Sequence, residues 1–446
     1  MSSRPLHAVL LPPSPGGGRL LEALADALDG SGPAILPLDP GLPPARLQQV
    51  LDAFAPSAIE TSDGIQRTVL PAPPAHAAPP ARAAPPGSAA PPGSAAPPAP
   101  AGPGVEPDIA VVVATSGSTG QPKGVELTAA ALRASAASSL TRIGARPGQR
   151  WLSCLPGFHV AGLQVLVRSL LAGVDPVVIA RVDAQAVASA GCAHVSLVPT
   201  QLRRLLDAGA PLAEFDTILL GGAAPPAGLL DEARAAGARV VVTYGMSETC
   251  GGCVYDGWPL DGVQVDIDDA GLIGIAGPVL FSGYRPPGAD GGTGGAGSRV
   301  GGTASRPAGT ERGLSGRWFR TSDLGSLDAD GRLTVRGRAD DVINTGGEKV
   351  VPGEVEAVLG TIDGVKDVVV VGVPDADWGE IVTAVVVPAN PATPPDLGHL
   401  RAHLRGRLPG YAAPRRMVLA AELPMLPSGK PDRIALRAAG QRESGK

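Results

Sequence analysis

Apolar residues along this chain gather into short continuous runs, and amphipathic stretches separate them. Ile109–Ala114, Trp151–Leu155, Pro176–Ala180, His194–Val198, Thr217–Leu220 and Arg239–Thr243 read as buried strands. An Ala-rich segment that Thr128 can cap reads as a helix, as do Ala161–Leu171, a segment opened by Pro199, and a segment near Ala227–Ala236. Apolar strands alternating with amphipathic helices predict an α/β fold whose mostly parallel sheet is covered on both faces. After Gly325 the texture changes. Strands at Leu333–Val335, Val368–Val373 and Ile381–Val387, with helices at Gly353–Leu359 and Leu397–Arg407, predict a separate small α+β domain. The boundary is expected in the polar segment Arg338–Asp341, which divides the chain into residues 1–337, a hinge at 338–341, and residues 342–446.

Two stretches fall outside this pattern. Pro71–Gly104 holds almost only Pro, Ala, Gly and Ser, and Gly288–Gly313 is Gly-rich with Val300 as its only large apolar residue. Neither has the side chains to bury enough surface against its chain entropy, so a Pro-rich spacer and a flexible surface insertion are expected. Together the 61 glycines and 48 prolines make up about a quarter of the chain, near the range where low-complexity segments appear.

Charge and cysteine content narrow the function. Thirty-seven Lys and Arg against 42 Asp and Glu give a net charge of −5, which argues against a nucleic-acid binder. Four cysteines are too few for a disulfide framework in 446 residues. The apolar run from His7 is cut off by Pro12 and Pro13, so no export signal is read, and no stretch is long enough for a membrane span. A soluble cytoplasmic protein with reduced thiols is expected.

The densest chemical signal is TSGSTGQPKGV, Thr115–Val125, directly after the Ile109–Ala114 strand. Glycines let a backbone approach an anion closely. The hydroxyls of Thr115, Ser116, Ser118 and Thr119 can donate to phosphate oxygens, and Lys123 adds charge. It is not a Walker A loop, because Pro122 rather than Gly precedes the lysine.

The loop resembles the phosphate-binding signature of the adenylate-forming enzymes, and the resemblance continues in family order. PGFHVAG (Pro156–Gly162), GGAAPP (Gly221–Pro226), YGMSET (Tyr244–Thr249), TSDLG (Thr321–Gly325), GRADDVINTGGEKV (Arg338–Val350) and PSGKPDR (Pro427–Arg433) all match. The resemblance implies an acyl-CoA synthetase-like fold, with a large N-terminal domain and a small mobile C-terminal domain. It also implies ATP, CoA and Mg²⁺.

The resemblance assigns nucleotide binding to Thr115, Ser116, Gly117, Ser118, Thr119, Gly120 and Lys123, to Gly221, Gly222 and Ala223, and to Tyr244, Gly245, Met246 and Ser247. Asp323 suits a ribose diol, and Arg338 suits ribose or phosphate oxygens. Glu248 suits magnesium, Thr249 the α-phosphate, and Lys430 the adenylation step. The resemblance also implies that His159 lies at the wall of the acyl pocket, which Gly245 would border, that Asp340 is the hinge, and that Gly346 and Gly347 belong to the thiolation loop.

Cys250 and Cys253 form a CxxC, open to a redox pair or half a zinc site. With no second CxxC, small packed residues near the nucleotide are the expectation, and His194 is read as structural. Arg168 stands on the otherwise apolar segment Leu163–Gly173. A guanidinium there needs either an anionic partner or an escape to water at a solvent-facing turn.

Within the family, Phe158–Gly173, His194–Leu206 and Tyr244–Val263 resemble the o-succinylbenzoate–CoA ligases of menaquinone biosynthesis. That subfamily's substrate carries two carboxylates, and the resemblance gives Arg168 the one not being activated. The partners implied are o-succinylbenzoate, ATP and CoA, with no nucleic acid and with homo-oligomerisation left open. Another acyl-CoA ligase, or a silent nucleotide-binding module, are the alternatives. The second would predict decay of Glu248, Asp323 or Lys430, and all three are in place.

Overall fold

The computed structural model describes residues 3–14, 17–67, 104–116, 122–285, 318–426 and 430–442. The chain divides into two compact units, one from residues 1–12, 19–129 and 282–300, the other from residues 13–18, 130–281 and 301–446. Except for Gly104, the Pro/Ala spacer lies outside the described residues, as does the Gly-rich stretch.

The first unit is built on a seven-stranded sheet. Its strand order is Gly283–Arg285, Pro122–Thr128, Ile109–Ser116, Ala34–Pro37, Leu6–Leu10, Ala58–Thr61 and Gly64–Arg67. The central pairings are parallel, as the continuous apolar runs predict, and Ile109 through Val112 are fully buried. The edges are antiparallel. Ile109–Ser116 turns back on itself through Pro122–Thr128, with Thr115 opposite Lys123. The phosphate-loop sequence therefore joins two strands of a hairpin. That return strand is absent from the sequence reading, because Pro-Lys-Gly at its start looks like loop.

The second unit carries three sheets. The first has seven strands, ordered Trp258–Pro259, Gly251–Tyr255, Val240–Met246, Thr217–Leu220, His194–Leu197, Trp151–Ser153 and Val177–Val178. From Val240–Met246 onward it is parallel, with helices Val160–Ala172, Pro199–Asp207 and Leu229–Ala235 in its crossovers. The helix Val160–Ala172 stops where Gly173 takes the left-handed conformation at φ 67° and donates back to Leu170 and Ser169.

The next sheet departs from the parallel expectation. Gln264–Ile267, Leu272–Ala276, Trp318–Leu327 and Leu333–Arg338 form an antiparallel meander. Its first turn is closed by the Asp268 carboxylate, which accepts from the backbone of Ala270 and Leu272.

The last sheet gathers Glu348–Val350, Ile343–Thr345, Gly379–Pro388, Val365–Asp375 and Arg416–Leu419. It packs with helices Pro352–Leu359 and Leu397–Leu404 around Val355, Leu359, Val370, Val382 and Leu400. The second of those helices ends three residues before its predicted limit, because Arg405 is extended and Gly406 sits at φ 78°. No helix among the described residues is long and apolar enough to cross a membrane.

Candidate active site

The sequence motifs of the second unit converge at the C-terminal end of its parallel strands, where α/β sheets commonly bind ligands. Val240–Met246 runs into a tight 3₁₀ turn, Ser247–Thr249. The turn is braced from within. Met246 N donates to Thr249 Oγ1 (2.9 Å), and that hydroxyl donates to the Gly251 carbonyl (2.7 Å). Ser247 O accepts from Cys250 N, and Glu248 O accepts from Phe281 N. Thr249 is therefore fully buried, while the Glu248 side chain stays half-exposed.

Glycines make this closeness feasible. A Cβ on Gly245 would sit 2.0 Å from Gly251 O, and one on Gly221 would sit 2.4 Å from Thr243 Oγ1. Gly222 holds φ +84°, so the Gly221–Ala223 bend cannot take ordinary residues without strain.

Tyr244 reaches out of the strand to donate to Asp323 Oδ2 at 2.7 Å. Burial first, then the neighbouring Asp323 carboxylate, hold the phenol well above its ordinary pKa. Asp323 is itself buried and donates its backbone N–H to Thr321 Oγ1. Arg338, directly opposite Asp323 in the antiparallel register, approaches Asp323 Oδ1 (3.4 Å) and donates to Asp340 Oδ2 (3.1 Å). Tyr244, Asp323, Arg338 and Asp340 thus form one connected group. Asp340 is exposed on the short turn Ala339–Asp341, whose next residue, Asp341, pairs with Arg433 (3.4 Å).

Lys430 is exposed, and its carbonyl accepts from Leu426 N. Gly346 and Gly347 both have positive φ. Gly346 lies against the ring of Trp378, where an added Cβ would approach to 2.6 Å, and Arg415 covers that ring at 3.4 Å.

In the first unit, Thr115 Oγ1 donates to Lys123 O (3.2 Å), and the Lys123 ammonium sits over the Tyr284 ring, 3.3 Å from its centre. Gly117, Ser118, Thr119 and Gly120 lie outside the described residues, as does the Ser116 side chain.

His159 is the exposed N-cap residue of helix Val160–Ala172, its ring 4.7 Å from that of Phe158. Two turns further along, Arg168 is 5% exposed, so the solvent-facing alternative does not hold. Its guanidinium lies 4.3 Å from the centre of the Trp151 ring and donates to Ser196 Oγ at 3.1 Å. Its Nε has no partner, and no carboxylate among the described residues pairs with it. Burial lowers its pKa, opposed by the field of Tyr255. His194 is structural in geometry. It is 1% exposed, bonded to Gln149, tilted against Trp151, and pushed down to about 4 by burial and then by the nearby arginines, against the pull of Asp216.

Cys250 and Cys253 are fully buried free thiols, and no group of ligands for a metal ion occurs among the described residues. Burial pushes Cys253 up to about 12, and Cys250 up as well. The CxxC behaves as packing, with Cys253 in the same apolar cluster as Trp151 and Leu219.

Sequence reasoning missed Thr243, Thr321, Trp151, Ser196, Tyr284 and Trp378. Trp151 carried one signal, being one of only four tryptophans and placed at the start of a buried strand.

Comparison with known proteins fits this geometry. The model of the AMP-binding enzyme family matches residues 25–285, and that of its C-terminal domain matches residues 354–430. A protein of Mycobacterium tuberculosis named as a probable 2-succinylbenzoate–CoA ligase is 45% identical over 355 residues, 76% of this chain and 87% of that one. The 2-succinylbenzoate–CoA ligase of Listeria monocytogenes is 31% identical over 74% of this chain and 69% of its own. Among solved structures, the o-succinylbenzoate–CoA synthetase of Bacillus subtilis with its acyl-adenylate intermediate superposes with a TM-score of 0.71 at 26% identity. That match covers 97% of this chain and 88% of that one.

Proposed function

This chain belongs to the AMP-binding enzyme family, and from that we propose that it is the AMP-forming ligase that joins o-succinylbenzoate to CoA. In the first step a substrate carboxylate oxygen attacks the α-phosphorus of ATP and pyrophosphate leaves. In the second the CoA thiol attacks the acyl carbon, its proton is lost, and AMP leaves. Both reactants of the first step are anions, so catalysis consists of positioning and charge neutralisation.

The observation that carries the substrate reading is Arg168. It is a buried guanidinium without a carboxylate partner, on the helix that follows the Phe158-His159 pair. Leaving such a charge unpaired is costly unless an anion arrives to meet it. The remote carboxylate of a diacid does so.

The remaining roles follow the site chemistry. Asp323, oriented by Tyr244, would accept from the ribose diol, with Arg338 beside it. Lys123 and the Thr115 hydroxyl would meet phosphate oxygens. Glu248 would be the protein's ligand to Mg²⁺, which takes one or two carboxylates together with substrate phosphates and supplies charge neutralisation there. A half-exposed carboxylate suits that mode of binding. Thr249 already commits its proton to Gly251, so contact with the α-phosphate requires that bond to be exchanged. Lys430 would serve adenylation. Rotation about Asp340 would then bring Gly346 and Gly347 to the thioester step.

Pyrophosphate release across a panel of carboxylic acids, with and without CoA, tests the reading. The expected result is turnover with o-succinylbenzoate and formation of its thioester when CoA is present. Equal or faster release with fatty acids would overturn it.

A further inference from the structure

Trp151 opens the strand Trp151–Ser153 and is almost completely buried, with its backbone in register opposite His194. One side of its environment is fixed by the His194 ring, whose centre is 5.0 Å away. Arg168 lies over the indole at 4.3 Å. Neither group satisfies the other's hydrogen bonds: Trp151 Nε1 and Arg168 Nε are both buried without a partner.

The choice of neighbour matters. A carboxylate under Arg168 would neutralise the guanidinium and compete with an incoming anion. An aromatic face attracts the cation through its quadrupole and leaves the in-plane N–H groups available. One of them is taken by Ser196. A hydroxyl fixes direction without cancelling charge.

We infer that Trp151 is a positioning residue that holds the Arg168 guanidinium for the remote carboxylate of the acid substrate. It thereby helps to set the selectivity for a diacid over a monoacid. The inference deepens the substrate reading above and rests on it.

The test is a selectivity ratio measured within each enzyme, because a general loss of folding or of rate cancels from it. The substrates are o-succinylbenzoate and the two monoacids that each lack one of its carboxylates, 4-oxo-4-phenylbutanoate and 2-butanoylbenzoate. Whichever monoacid reacts gives the reference kcat/KM. Trp151→Leu is expected to lower the diacid-to-monoacid ratio on the order of tenfold, mainly through KM for the diacid, as befits loss of a desolvated cation–π contact. Trp151→Phe, which keeps a smaller ring, is expected to lower the ratio by less, roughly threefold. In an Arg168→Met background, Trp151→Leu should change the ratio no further.

A ratio that survives Trp151→Leu, or that falls again in the Arg168→Met background, overturns the inference. If Trp151→Leu does not fold, Trp151→Phe decides through its ratio relative to the wild type. A reduction of roughly threefold supports the role, and an unchanged ratio overturns it. A wild-type enzyme with no preference for the diacid would instead overturn the substrate reading itself, and this inference with it.

Discussion

Tyr244 and Asp323 lie 79 residues apart in sequence and share a 2.7 Å hydrogen bond in which the phenol donates to Oδ2. This bond joins the end of a parallel strand to the antiparallel meander. It leaves Oδ1 of the same carboxylate facing Arg338.

Tyr244→Phe removes a donor to a buried carboxylate, a loss of about 2 kcal/mol in stability by the usual worth of a hydrogen bond to a charged group. KM for ATP should rise severalfold with kcat for o-succinylbenzoate less affected. Thermal unfolding and ATP-dependent pyrophosphate release check both. Unchanged Tm and KM would remove Tyr244 from the role proposed for it in orienting Asp323.

Lys430→Ala should slow adenylation roughly 10²–10³-fold, the loss typical of one transition-state donor. Thioester formation from pre-formed acyl-adenylate should proceed normally, because Lys430 would belong to only one of the two arrangements. Asp340→Pro should show the opposite division. It stiffens the Ala339–Asp341 turn and disfavours the helical conformation of Ala339, so thioester formation should fall by roughly tenfold while adenylation persists. Single-turnover assays of each half-reaction check the pair, and equal slowing of both halves in either variant counts against that residue's assigned step.

His194 makes stability depend on pH. Its folded pKa, about 4, lies below the ordinary histidine value of 6.5, so the unfolded chain binds the proton more readily. Stability is intact above pH 6.5, declines as pH falls from there toward 4, and levels off below. The full decline is about 3–4 kcal/mol at 1.4 kcal/mol per pKa unit. His194→Gln should flatten this window in urea unfolding between pH 4 and 6.5. A slope identical to the wild type would assign it to other groups.

Gly245→Ala introduces a Cβ 2.0 Å from the Gly251 carbonyl, which is backbone and cannot swing away. The Met246–Thr249 turn must shift, at a cost of about 2 kcal/mol as in other overpacked sites. Since that turn carries Glu248, activity should fall at least tenfold even below the unfolding temperature. Activity retained alongside a lowered Tm would separate the turn's position from catalysis.

Much of the fold is visible in the sequence because burial there is continuous. The apolar run marks Thr217–Leu220 to the residue, and apolar periodicity with Gly173 marks Ala161–Leu171 to within one residue of the helix at each end. What could not be read are partnerships across distance. Pro122–Thr128 is a strand only because Ile109–Ser116 and Gly283–Arg285 flank it. The antiparallel meander depends on which strands pair, and the apolar run Leu272–Ala276 does not itself name Gln264–Ile267 and Trp318–Leu327 as its neighbours. The motifs located the Tyr244 turn and the Asp323 strand, yet nothing in either predicts their hydrogen bond. The apolar setting of Arg168 was legible, but its indole support was not, because Trp151 lies 17 positions upstream on another element.

The four thiols have a consequence for the second half of the reaction. Burial raises the pKa of each, with Cys154 and Cys253 reaching about 12, so almost none is ionised near neutrality. Thiol–disulfide exchange begins from a thiolate. A protein that must handle a free sulfhydryl cofactor therefore offers it no thiolate of its own near neutrality. Mixed disulfides with oxidised CoA and capture by electrophilic reagents are both disfavoured by the same packing that fills the core.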